Sequence, residues 1–96
     1  MKISNYEKSL DRLRKEIDRI DNDLVRALAH RMRIVKKIGL LKKKHGQPVL
    51  QSKRFGQMLI SRVGSAWRQG LDKEFAVRWL KLIHSEAIRI QKKQRK

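Results

Sequence analysis

The sequence predicts an all-α fold of three helices, the first of them very long. Three observations carry that expectation. From about Tyr6 to Lys44 there is no proline and a single glycine, Gly39. Apolar residues within that stretch recur three and four positions apart, the spacing of one packed helical face. No segment of the chain alternates apolar and polar residues with the period of two that a half-buried strand requires.

The stripe of the first helix is Leu10, Leu13, Ile17, Ile20, Leu24, Leu28, Val35 and Ile38. At 1.5 Å per residue this helix is about 55–60 Å long, roughly twice the diameter of a small domain. Two shorter helices from the rest of the chain cannot cover it. The uncovered stripe therefore predicts a second copy packed along the first helix, an intertwined antiparallel homodimer. The segment His45 to Pro48 ends the helix, because Gly46 suits a left-handed stop and proline tends to follow one.

Gln51 to about Trp67 reads as the second helix, with Arg54, Phe55, Met58, Leu59 and Arg62 at helical spacing. Gln69 and Gly70 break it. Asp72 is then a good N-cap for a third helix, with Glu74 in the first turn where a carboxylate meets the positive end of the helix dipole. Its stripe is Ala76, Trp79, Leu80, Ile83, Ala87 and Ile90, with Gln91 on nearly the same face as Ala87. Trp67 and Trp79 are expected as core or dimer anchors. The expected organisation is one domain over 1–96, with a core of 8–92 and a basic tail, 92–96, that is solvated and frayed.

Charge narrows the function. The chain has 96 residues, 26 Lys+Arg against 9 Asp+Glu, and a formal net charge of +17. With 40% hydrophobic residues and clear periodicity it is too apolar for a disordered polycation. No run approaches the roughly 20 apolar residues of a membrane span, and Met1 to Lys8 lacks the apolar core of a secretory signal, so the cytoplasm is the expected location. There is no cysteine, which excludes thiolate metal sites, disulfides and Cys nucleophiles. Between Leu24 and Leu71 there is no carboxylate at all, while the same stretch carries twelve Lys and Arg. A site built there is cationic and takes an anion: a small polycarboxylate, a phosphorylated molecule or a nucleic-acid backbone.

Helical geometry suggests how such a site is assembled. Arg31 and Lys42 are eleven residues apart, so they differ by only about 20° in direction and about 16 Å along the axis. Two long side chains leaning together can grip one small anion. Arg14 lies about 25 Å from Arg31 and about 100° around the helix, out of reach in the same chain but able to enter a partner's site in an antiparallel dimer. Arg54 and Gln91 are placed to close the pocket, and a buried Gln91 needs a hydrogen-bond partner. The bland reading of each arginine is a solvated surface charge, and that of Gln91 an exposed amide in a fraying turn. His30, His45 and His84 lack metal-ligand spacing and read as structural or surface residues. There is no P-loop, no GxGxxG and no convincing Ser-His-Asp set.

The order Leu13, Arg14, Ile17, Ile20, Asp21, Leu24, Leu28, Arg31, Val35, Gly39, Lys42, Pro48, Val49, Arg54 and Gln91 resembles the all-helical chorismate mutases of the AroQ class. The likeness spans residues 10 to 91. It implies two intertwined three-helix chains whose equivalent sites each draw on both subunits. Arg31 and the partner subunit's Arg14 would then bind the two carboxylates of chorismate, with Arg54 in support. Lys42 and Gln91 would hydrogen-bond the ether oxygen of the breaking bond. The implied reaction, rearrangement of chorismate to prephenate in aromatic amino-acid biosynthesis, requires no metal or cofactor.

Two departures stand together at the start of the second helix. Where family mutases usually carry an acid this chain has Gln51, and where they carry a glutamate it has Phe55, which cannot accept a hydrogen bond from a substrate ring hydroxyl. Ala87 stands in place of a frequent serine. An apolar residue at the position of Phe55 also resembles the isochorismate-pyruvate lyases on the same fold, and a mutase for an amino-substituted chorismate is a further alternative. The rival from another class is a basic helical dimer that binds nucleic acid through phosphates, for which charge is the sole support.

Overall fold

A computed structural model describes residues 4–95; Met1 to Ile3 of the N-terminal reading and Lys96 of the basic tail lie outside it. The chain forms α1 (Asn5–Lys44), α2 (Ser52–Arg68) and α3 (Lys73–Lys93), with no strand among the described residues. All three helices therefore fall within a residue or so of where periodicity puts them.

Each helix end has a local cause. Ser4 opens α1: its Oγ accepts from the Glu7 backbone N–H at 3.1 Å, the first half of a capping box that the sequence reading passed over. At the far end Gly46 adopts φ 64°, and the chain closes with Gly46 N–H to Lys43 O and Gln47 N–H to Lys42 O. That pair of bonds is a Schellman motif, which satisfies carbonyls a helix end leaves open. The same device ends α2, where Gly70 has φ 93° and Leu71 N–H reaches Ala66 O. Asp72 caps α3 as expected, accepting from Phe75 N–H at 2.9 Å.

The chain divides into two compact units, Met1–Arg33 and Ile34–Lys96. The first is the long leading part of α1. Its apolar stripe stands in solvent: Ile17 is 55% exposed, Ile20 57% and Leu24 53%. Exposed ion pairs, Lys15 with Asp11 and Arg26 with Asp23, decorate the same stretch and add at most a few tenths of a kcal/mol each.

The second unit holds the core. The short connection Gln69–Asp72 turns α3 back along α2, against which it packs. Buried here are Val35, Val49, Met58, Ala66, Ala76, Leu80, Ile83 and Ala87, with Gln91 the buried polar residue among those described. Alanines at 66, 76 and 87 allow close approach of the helices but contribute little apolar area. Trp79 is 42% exposed and Trp67 is 58% exposed, so neither is a core anchor. Trp67 instead lies beneath the Lys73 ammonium, 4.7 Å from the ring centroid, on the outer side of the α2–α3 turn.

Of the basic tail, Lys92, Lys93 and Arg95 are exposed, as a solvated segment requires, but residues 92–95 are tied to the rest of the unit. α3 stays helical to Lys93, and Gln94 and Arg95 both make tertiary hydrogen bonds. Their partners are the Lys36 carbonyl on α1, the Gln47 carbonyl in the α1–α2 loop and the Lys43 ammonium, which folding brings together.

Candidate active site

The second unit brings two of the predicted residues into direct contact. Lys42, in the last turn of α1, donates from Nζ to Gln91 Oε1 at 2.9 Å and to the Val49 carbonyl at 2.8 Å. The Val49 carbonyl is available because the Schellman turn at Gly46 folds the following loop back beside Lys42, burying Val49. Gln91 is 5% exposed, and its Nε2 donates back to Ala87 O at 3.3 Å. The exposed-amide reading of Gln91 is thereby excluded: it is a buried amide with a partner for each end.

Why the two meet is legible in the neighbouring helix surface. Gly39, three residues before Lys42, is buried, and a Cβ there would lie 2.9 Å from Gln91 Cγ and would run into Gln94 Oε1. Only glycine lets the end of α3 approach α1 this closely. The ammonium of Lys42 is partly desolvated, which lowers its pKa below the ordinary lysine value, and the Arg95 charge lowers it further. Among the described residues Lys42 pairs with no carboxylate. Of its three N–H donors, two are used in these bonds.

A second contact was not anticipated. Phe55, half-buried in the first turn of α2, stacks on His84 of α3 with ring centroids 3.8 Å apart and planes 20° from parallel. His84 had read as structural or surface. The signal that finds it is spacing: His84, Ala87 and Gln91 stand three and seven residues apart on one face of α3.

Ala87 is buried on that face, whereas Gln51 and Arg54 are exposed at the start of α2. Gln51 is the N-cap residue but makes no side-chain cap bond, so its amide is not committed to the helix end. Arg31 and Arg14 belong to the first unit, Arg31 half-buried and Arg14 exposed. Two open surface grooves, one along Lys8 to Arg19 and one at Trp67 to Glu74, share no residue with this set. No group of three His, Cys, Asp or Glu that would suit a metal ion occurs among the described residues.

A half-buried lysine and a buried glutamine joined across two helices, in a cationic stretch, point back to the helical mutases. The profile of the chorismate mutase type II family matches residues 13–92. The chain belongs to that family. Within the curated relatives, it is 31% identical over 70 residues to the T-protein of Haemophilus influenzae, a match covering 73% of this chain and 19% of that protein. The chain thus spans about a fifth of that relative's length. The Lys42–Gln91 pair sits inside the matched region.

Proposed function

We propose that this chain is a chorismate mutase, converting chorismate to prephenate within aromatic amino-acid biosynthesis. The observation that carries the proposal is the Lys42 Nζ to Gln91 Oε1 bond, which joins the two side chains assigned to the ether oxygen of the substrate. The rearrangement is internal to one molecule: the ether C–O bond breaks as a C–C bond forms, and no proton enters or leaves. Nothing has to act as base or nucleophile. Catalysis then rests on holding the reactive conformer and on stabilising negative charge that develops at the ether oxygen. Lys42 supplies a positive charge with one uncommitted N–H, and Gln91 supplies the second N–H of its amide.

Substrate carboxylates go to Arg31 and to the partner subunit's Arg14, with Arg54 in support. We propose an intertwined antiparallel homodimer for this purpose, with residues 8–92 forming a single catalytic domain in each chain. The supporting observation is the exposed stripe of the first unit, Leu13, Ile17, Ile20, Leu24 and Leu28, each at least 41% exposed. That much aligned apolar surface is unusual for a lone soluble helix, and a second copy presents the matching stripe. The cytoplasm is the proposed location; no described helix is long and apolar enough to cross a membrane. Nucleic-acid binding is left as an incidental effect of charge.

One observation favours a second reading. The Phe55–His84 stack puts an apolar ring where a mutase places a carboxylate, which suits an isochorismate-pyruvate lyase or a mutase for a differently substituted ring. The test is a paired assay of the purified chain with chorismate and with isochorismate, identifying products separately. Prephenate from chorismate supports the mutase. Salicylate and pyruvate from isochorismate as the dominant products transfer the chain to the lyase branch, and turnover of neither refutes the mutase of chorismate and the lyase alike, favouring a differently substituted ring.

A further inference from the structure

The last turn of α3 and the two residues after it make more tertiary bonds than their charge and position suggest. Gln94 Nε2 donates to the Lys36 carbonyl on α1 at 3.0 Å, and Lys43 Nζ donates to the Gln94 carbonyl at 3.0 Å. Arg95 donates from its guanidinium to the Gln47 carbonyl in the α1–α2 loop. Gln94 Oε1 is buried without a donor, pressed against Gly39. A side chain that leaves a buried acceptor unsatisfied is held there by its other bonds, since the open acceptor costs about 1–3 kcal/mol.

These bonds join the three segments that adjoin Lys42 and its two acceptors. Lys36 lies on α1 before Lys42, Gln47 lies on the loop that carries Val49, and Gln94 lies just beyond Gln91. Both acceptors of the Lys42 ammonium, Val49 O and Gln91 Oε1, are therefore on segments tied down by Gln94 or Arg95. We propose that Gln94 and Arg95 form a clasp that holds the Val49 loop and the end of α3 on α1, so that Arg95 is a positioning residue for Lys42. This deepens the mutase reading and rests on it only for its effect on rate.

The charges that bear on Lys42 are few. Arg95 adds its positive charge from beyond α3; Lys43, next in the chain, is turned to the Gln94 carbonyl; the loop and α3 otherwise offer the uncharged Val49 carbonyl and Gln91. From α2 no charged group is bonded to Lys42 among the described residues. Removing the Arg95 charge raises the Lys42 pKa, because like charges in proximity disfavour the ammonium.

The experiment compares the full chain with Arg95→Gln and Arg95→Lys. The Lys42 side chain is titrated by NMR in the absence of substrate, its signal assigned through Lys42→Arg, and kcat and KM for chorismate are measured separately. In Arg95→Gln the Lys42 midpoint moves to higher pH, and kcat falls by about three- to tenfold while KM changes less than about twofold, the pattern of a misplaced catalytic group. Arg95→Lys keeps the charge and restores most of both. An unmoved Lys42 midpoint in folded Arg95→Gln overturns the clasp whether or not chorismate reacts, and an unchanged kcat overturns the positioning role. Faster amide hydrogen exchange in the Val49 loop of Arg95→Gln, in a protein unable to rearrange chorismate, supports the clasp and refutes the mutase instead.

Discussion

Replacing Gly39 by alanine tests the approach of α3 to α1 at this glycine. Two effects oppose each other. Alanine in a helix interior is favoured over glycine by roughly 0.5–1 kcal/mol, so the substitution would stabilise an isolated α1. Against this, the new methyl would lie 2.9 Å from Gln91 Cγ and 3.1 Å from Gln94 Cδ, and would collide with Gln94 Oε1. The Gln94 amide is the end of a flexible side chain and can swing aside, but then its bond to Lys36 O is lost, about 1 kcal/mol. Gln91 has no such freedom. Its amide is held by Lys42 Nζ and Ala87 O, so its Cγ retreats only if the end of α3 moves. Overpacking of this kind costs about 1–3 kcal/mol. The sum is a net loss of about 2 kcal/mol, equivalent to a drop in Tm of roughly 8–16 °C for a chain this size.

Circular dichroism melts of wild type and Gly39→Ala at equal protomer concentration read that loss, because association makes Tm concentration-dependent. The same shift of α3 loosens the Lys42–Gln91 pair, so kcat is expected to fall by about tenfold or more while KM changes less. A variant that melts higher than wild type and turns over chorismate normally would refute the reasoning. In that case the helix-propensity gain would be the whole effect, and α3 would not approach α1 at Gly39.

The remaining expectations concern the pair and the second subunit. Lys42→Ala removes one charged donor from the developing oxyanion and is expected to cost about 3 kcal/mol in the barrier, roughly a hundredfold in kcat, with the fold retained; steady-state rates on a folded variant check it. Activity needs the Lys42 ammonium, whose pKa lies below the ordinary lysine value through desolvation and the Arg95 charge. Activity is therefore present at neutral pH and lost as pH rises through that lowered value. The alkaline limb of kcat/KM should appear below the usual lysine range, and that of kcat higher, since a bound dianion favours the ammonium; a kcat limb lying below that of kcat/KM would contradict this. Finally, unfolding and refolding an equal mixture of inactive Arg14→Ala and Lys42→Ala chains should restore about a quarter of wild-type activity, because about half the dimers are mixed and each has one intact site. A mixture no more active than its parents would remove Arg14 from the partner's site.

The sequence by itself determined the helices and their ends. Periodicity, the placing of Gly46 and Gly70 and the cap at Asp72 are local signals, acting over three or four residues, and each appears in the structure at or next to its expected position. The candidate residues followed from charge distribution and from resemblance, and Lys42 and Gln91 were named although 49 residues separate them. Whether Gln91 was buried or frayed was undecidable from its spacing alone. A glutamine on the edge of an apolar stripe is consistent with either, and only the packing of α3 on Gly39 removes it from water.

Other features were settled by tertiary structure because they depend on atoms far apart in the chain. His84 is one, since a histidine gains meaning from the Phe55 ring it stacks on and not from its own neighbours in sequence. Trp67 is another: aromatic residues are usually buried, yet this one lies at a turn where Lys73 covers it. Gln94 and Arg95 are a third case. A run of basic residues at a helix end is solvated by default, and Arg95 does stay exposed, but what binds these two is the Lys36 and Gln47 carbonyls that folding alone brings within reach.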